Sequence, residues 1–235
     1  MSGKRALLLH GGWEGHQPEQ MAAFAEQTLL ADFSVTRSPD LSLLTDAALA
    51  AFDIVVPIWT FGDITPAQEQ SLLRAVQNGL GVVAWHGATS AFLASRALKF
   101  LLGGQFVAHP GDLDVTYRVR FLGNDPLVDG LSDFSITSEQ YYLLVDPAVK
   151  VIARTTMCSA DLDWVAGVDM PVAWTRLWGK GRVFYCSLGH APQDLALPAM
   201  RTLLRRAAHW AARSLAAAHP PERLSTMVGQ RSPSA

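Results

Sequence analysis

The sequence predicts an α/β fold, with a central, mostly parallel sheet carrying helices on both faces and extra antiparallel strands in its second half. Three observations predict it. From Arg5 to Leu102, short apolar runs alternate with segments of helical spacing, a pattern that requires crossover helices between parallel strands. After Leu102, strand-like runs follow one another with no helical pattern between them. The composition, 49% hydrophobic and 17% charged over 235 residues, is that of a chain with a sizeable core.

Each element has its own signal. Arg5 to Leu9 is an apolar run entering Gly11-Gly12, as a buried parallel strand enters a tight loop. A helix is expected over Pro18 to Leu30, with Met21, Phe24, Ala25 and Leu29 at helical spacing. Ser34 to Arg37 reads as the second strand, Leu44 to Phe52 as a short helix, and Ile54 to Pro57 as the third strand, entering the aromatic loop Trp59-Thr60-Phe61-Gly62. Thr65 as N-cap, Pro66 at the first helical position and Gln68 at the capping-box position start a helix that Asn78-Gly79 stops. Gly81 to Trp85 is the next buried strand, and a helix from Ser90 to Leu102 ends at Gly103-Gly104. Val115 to Phe121, Tyr141 to Val145, Val151 to Thr155 and Val172 to Trp174 are strand-like; Gly179-Lys180-Gly181 makes a hairpin, and Val183 to Ser187 returns to the core. An amphipathic helix over Pro198 to Ala217 closes a single domain of residues 1–218, and residues 219–235 read as a disordered tail.

Composition also excludes partners. A formal charge of -2, from 19 basic and 21 acidic residues, gives no field that recruits nucleic acid or an anionic membrane. The apolar run before His10 is too short for a signal peptide, so a cytoplasmic protein is expected, folding by itself or as a homo-oligomer. Cys158 and Cys186 share no metal-type spacing and read as buried thiols. No GxGxxG or GxxxxGK[ST] motif supports dinucleotide or P-loop chemistry.

The chemistry lies in the histidines. His10 and His16 follow the first strand, His86 ends VVAWH, and His190 closes RVFYCSLGH. Open α/β sheets bind ligands outside the carboxyl ends of their strands, so one rule carries these residues to one edge. His86 stands at the strand-to-turn position where hydrolases of similar layout present a Ser or Cys nucleophile, which argues against glutaminase chemistry.

Four stretches carry a resemblance: GGWEGH (Gly11 to His16), GVVAWHGA (Gly81 to Ala88), GGQFVAHP (Gly103 to Pro110) and MPVAWTRLWGKGRVFYCSLGH (Met170 to His190), with SEQYY as a weaker fifth. They resemble the trehalose-utilisation (ThuA-like) family, over roughly residues 4 to 212. The resemblance implies a flavodoxin-like fold of the class I glutamine amidotransferase type, and a role in disaccharide or keto-sugar catabolism on a small-molecule carbohydrate. It also implies an active-site position for His190, and matches His109, Glu139 and Tyr141 to the family pattern.

His86 and His190 are the expected proton-transfer groups, with Glu139 as the carboxylate that orients one of them or completes a metal site. His16 is expected to point into the cleft, and His10 to pack beneath Gly11 and Gly12. Trp13 and Trp59 are candidate sugar platforms, because sugar C–H groups stack on flat aromatic faces. His109, Tyr141 and Arg176 complete the expected binding residues, with Arg176 nearer the ligand and Arg182 serving the fold. The sequence assigns no definite cofactor. A divalent metal such as zinc is chemically open, although no HxxxH or HExxH helix announces it. A non-catalytic sugar-binding or regulatory module and a metal-dependent hydrolase are the alternatives to the acid–base reading.

Overall fold

In the computed structural model residues 3–213 are described, except 124, 160 and 161. In chain order the elements are β1 (Arg5–Gly12), α1 (Pro18–Phe24), β2 (Ser34–Ser38), α2 (Asp46–Leu49), β3 (Ile54–Thr60), α3 (Pro66–Gln77), β4 (Gly81–Trp85), α4 (Arg96–Leu102), β5 (Gly104–Ala108), β6 (Thr116–Phe121), β7 (Phe134–Thr137), β8 (Tyr142–Val145), β9 (Lys150–Thr156), β10 (Asp169–Trp178), β11 (Gly181–Cys186), α5 (Pro192–Ala196) and α6 (Pro198–Ala211). A nine-stranded sheet runs β2-β1-β3-β4-β11-β10-β9-β6-β7, and β5 pairs with β8 in a separate ribbon. The first five strands of that order are parallel, and the remaining four are joined antiparallel. The parallel part has the flavodoxin-like order, in which ligands bind at the strands' carboxyl edge.

The sheet is buried on both faces, so its parallel strands read as continuous apolar runs rather than alternating ones. Ala6, Leu8, Val56 and Phe184 pack on one face against Met21 of α1 and Leu203, Leu204 and Ala207 of α6. Leu7, Leu9, Val55 and Tyr185 pack on the other, against Leu72, Leu73 and Val76 of α3 and Leu98 and Leu101 of α4. Each such side chain contributes roughly 1.5–3 kcal/mol on burial. β1 and β3 stay paired from Ala6↔Ile54 to Gly12↔Thr60, whereas β3 and β4 pair only at Ile54↔Gly81 and Val55↔Val82. The two strands therefore part toward their carboxyl ends, and the opening between them is where the site forms.

The structure corrects several expected boundaries. The first helix changes to a π-helical turn at Ala25–Leu29, where Leu30 N–H donates to the Ala25 carbonyl and Thr28 Oγ1 donates back to the Phe24 carbonyl. The helix expected from Ser90 begins at Arg96. Ala91 bridges to Phe61 and Phe92 has φ 50°, both incompatible with a helix, and Ser95 then caps by accepting from Leu98 N–H. β5, β7 and α5 have no counterpart in the sequence reading. The capping box of α3 is formed as expected. The last helix, expected to run to Ala217, ends at Ala211, because Ala212 leaves the helical conformation with ψ 124°; the expected tail at residues 219–235 lies outside the described residues. No described helix is long and apolar enough to cross a membrane.

Candidate active site

His86 ends β4 in a strained conformation. Its φ is 44°, left-handed for a residue with a Cβ, at a cost on the order of 1–3 kcal/mol. Buried contacts hold it there. Tyr185 Oη donates to the His86 carbonyl at 2.8 Å, and Thr89 Oγ1 lies 2.8 Å from that phenol and 3.2 Å from the same carbonyl. The imidazole is fixed through Nδ1, which lies 3.0 Å from the Ser187 carbonyl in the connection after β11. A carbonyl only accepts, so Nδ1 carries the proton, and Nε2 is the lone-pair nitrogen of the neutral ring. Tyr141 stacks on the ring, with its hydroxyl 2.9 Å from Nε2.

Three other connections deliver groups to the same place. His16 ends a 3-10 turn after β1, and its Nδ1 sits 2.7 Å from Thr60 Oγ1 at the end of β3. His190 follows Gly189 after β11, and its N–H donates to Asp194 Oδ2 at 3.0 Å. Glu139 lies between β7 and β8, with its carbonyl accepting from Tyr117 Oη at 2.9 Å. Its neighbour Ser138 donates to the same Asp194 Oδ2 at 2.8 Å, so one carboxylate ties the Glu139 and His190 segments together.

The result is a compact cluster. Ring centroids are 4.6 Å apart for His16–His86, 5.0 Å for His16–His190 and 5.3 Å for His86–His190. Glu139, only 5% exposed, places Oε2 3.1 Å from His86 Nε2 and Oε1 3.3 Å from His190 Nδ1. These contacts are close but poorly directed, and Glu139 Oε2 and His190 Nδ1 have no hydrogen-bond partner. We therefore read the Glu139–His190 contact as one of charge. His109 Nε2 reaches 3.9 Å from Glu139 Oε1, and its Nδ1 lies 3.6 Å from Asp112 Oδ1. Each of His16, His86, Glu139 and His190 offers a ligand-type atom, and the four atoms lie within 4.8 Å of one another.

Electrostatics separate the members. Burial lowers the His16 pKa to about 3, helped by His86 and His190, so His16 is neutral at neutral pH. Burial alone would raise Glu139, but the adjacent His190 and His86 outweigh it and hold the carboxyl below the usual range. Contact with Glu139 raises His190 against the opposing effect of burial. Burial raises the Tyr141 phenol far out of the neutral range, so it acts only as a neutral hydroxyl.

The adjoining cleft is lined by Gly11, His16, Trp59, Thr60, His86 and Gly87, among others. Trp13 stands 47% exposed at its rim, edge-on to His16 at 4.7 Å. Trp59 is half-buried in its wall. A second space beyond Trp59 is lined almost wholly by apolar side chains and offers little to orient a hydroxyl-rich ligand.

Arg176 requires correction, because it lies away from the cluster. Its guanidinium donates to the Phe100 carbonyl, pairs with Asp146 at 2.9 Å and packs over Phe100 and Trp178. β10 runs antiparallel to β11, so Arg176, opposite Val183, falls toward the end of the sheet away from the histidines. His10 is buried within β1, with Nδ1 3.3 Å from Glu19 Oε2. Cys158 is exposed rather than buried, and Cys186 is buried within β11, where burial pushes its thiol up to about 12. Neither occupies the turn that holds His86. Thr60, Thr89, Tyr117, Tyr185 and Asp194 support the site and were missed from sequence. A polar residue ending an apolar strand run, as Thr60 ends IVVPIWT, was the one available signal.

The family profile described as trehalose utilisation (ThuA) matches residues 5–211. No curated protein matches. A ThuA-like protein from Bacteroides uniformis is 21% identical, with 88% of this chain and 90% of that one aligned at a TM-score of 0.71. One from Parabacteroides merdae is 18% identical, with 89% and 90% aligned at 0.74. A cold-adapted β-galactosidase from Rahnella sp. R3 is 17% identical, with 88% of this chain against 31% of the enzyme at 0.60. At these identities the structural likeness is one of fold. The profile match spans nearly every element described above, and on that basis the chain belongs to the ThuA, trehalose-utilisation, family.

Proposed function

We propose that the protein is a cytoplasmic carbohydrate-active enzyme that moves protons on a neutral disaccharide or keto-sugar, using His86, His190 and Glu139. The observation that carries the reading is the convergence of three imidazoles and a buried carboxylate at the carboxyl edge of the sheet, beside a cleft with an aromatic rim. Family membership supports a carbohydrate-related role. On a glycoside oxidised to a ketone, removal of the proton next to the carbonyl and protonation of the glycosidic oxygen expels the alcohol and leaves an unsaturated keto-sugar. That step needs a base and an acid a few ångströms apart, and paired groups of this kind supply it. Trp13 offers a face on which a sugar ring stacks, and Trp59 a wall.

The test is turnover on a panel of disaccharides and their oxidised keto forms. The His86→Gln variant keeps a planar hydrogen-bonding side chain but cannot cycle a proton. It is expected to lose ~10²–10⁴-fold in turnover while a sugar still raises its melting temperature. Wild-type turnover in His86→Gln overturns the acid–base role. Sugar binding with no turnover by the wild type identifies a binding module instead.

A further inference from the structure

We propose that His16, His86, His190 and Glu139 form a three-nitrogen, one-oxygen centre for a single divalent transition-metal cation of the zinc type. The inference rests on reading the same cluster as the active site. It is carried by which atoms are committed elsewhere and which are left over.

The Ser187 carbonyl fixes the tautomer of His86, so that Nε2 is its lone-pair nitrogen, 3.1 Å from Glu139 Oε2. Thr60 occupies Nδ1 of His16 and leaves Nε2 uncommitted. Such outer partners, one on each ring, are the usual means by which metal-binding histidines are oriented. Two further atoms of the cluster are left without a well-directed partner. Glu139 Oε2 and His190 Nδ1 are buried and have no hydrogen-bond partner among the described residues, and Glu139 is only 5% exposed. A buried polar atom left unpaired costs roughly 1–3 kcal/mol, and more when charged. The lone pair on His86 Nε2 and Glu139 Oε2, 3.1 Å apart, repel as well.

Protons alone resolve this poorly. Three imidazoles with centroids 4.6–5.3 Å apart cannot all be cationic, and no Lys or Arg occurs among the described residues of the cluster or its cleft. A divalent cation satisfies all four groups at once. The ligand-type atoms already lie within 4.8 Å of one another. Tetrahedral zinc with bonds of ~2.0–2.1 Å requires separations of roughly 3.3 Å, so side-chain rotations moving each atom by about an ångström close the shell. Three imidazoles and one carboxylate suit zinc, cobalt or nickel better than magnesium or calcium, which prefer oxygen alone. Tyr141, now on His86 Nε2, would turn its hydroxyl to Glu139. A cation held there would supply Lewis acidity toward a sugar oxygen only by expanding to five-coordinate.

Elemental analysis and calorimetric titration test this on the full chain, using zinc and cobalt chlorides after chelator treatment. The expected result is one equivalent per chain, visible d–d bands with cobalt, and a zinc-dependent rise in melting temperature. Glu139→Gln, which preserves shape, and His190→Ala should each weaken zinc binding about 100-fold or more and abolish the cobalt bands. His209→Ala, a surface histidine, should change nothing. The proposal is overturned by the absence of stoichiometric binding, or by binding that survives both cluster variants unchanged. Turnover that persists in metal-free protein sinks this inference and leaves the acid–base reading standing. Stoichiometric metal without turnover on any sugar does the reverse.

Discussion

Replacing Gly87 by alanine should dismantle the site from beneath. A Cβ at this position would lie 2.0 Å from Thr60 Oγ1, 2.7 Å from His16 Nδ1 and 3.1 Å from His16 Cε1. Neither neighbour can yield cheaply. Thr60 is β-branched and buried, and His16 is hemmed in by His86 and His190. The two atoms struck are also partners in the 2.7 Å hydrogen bond that anchors His16. Losing that bond costs about 0.5–1.5 kcal/mol, and forcing a methyl into a packed site costs about 1–3 kcal/mol. The sum, roughly 1.5–4.5 kcal/mol, corresponds to a melting temperature lowered by ~3–18 °C for a chain of this length. Thermal unfolding measures the loss, and the imidazole NMR signals report His16. The double variant Gly87→Ala, Thr60→Ala removes the worst clash, so it should recover part of the stability while leaving His16 unanchored. If Gly87→Ala melts within about 1 °C of wild type with His16 signals unmoved, the packing argument is wrong.

Two further outcomes follow from groups away from the cleft. Lys99 is 8% exposed and its ammonium donates, among the described residues, to the Ala91 carbonyl; burial pushes its pKa from 10.5 down to about 8. The unfolded chain therefore holds more protons between about pH 8 and 10.5, and the destabilisation is complete below that window and relieved as pH rises through it. Lys99→Met should then stabilise the protein at pH 7 by on the order of 1–3 kcal/mol in urea unfolding, an advantage that shrinks toward pH 10.5. An advantage that grows with pH would contradict the burial argument. The double variant Cys158→Ser, Cys186→Ser should keep whatever turnover or sugar binding the wild type shows, because neither thiol lies on the His86 turn. Loss of both in a folded double variant would assign a cysteine a role that its position gives no reason for.

The alternation of apolar runs and helical spacing determined the parallel half of the sheet, because each buried parallel strand needs a crossover helix and leaves both in the sequence. Gly81 to Trp85 and the Thr65–Gln68 capping box are legible for the same local reason: strand burial and helix capping are written within a few residues. Strand-end placement also pointed to His16, His86 and His190, which the fold does bring together. What the sequence could not supply is anything set by pairing across long separations. Arg176 looked like a ligand-facing residue until the antiparallel register of β10 carried it to the far end of the sheet. Glu139 has no local mark that distinguishes it from a solvated carboxylate. It becomes a buried partner of two histidines only because Tyr117, 22 positions away, and Asp194, 56 positions from Ser138, hold its segment over the cleft. The left-handed turn at His86 is likewise stable through Tyr185, 99 residues on, and no window of sequence contains both.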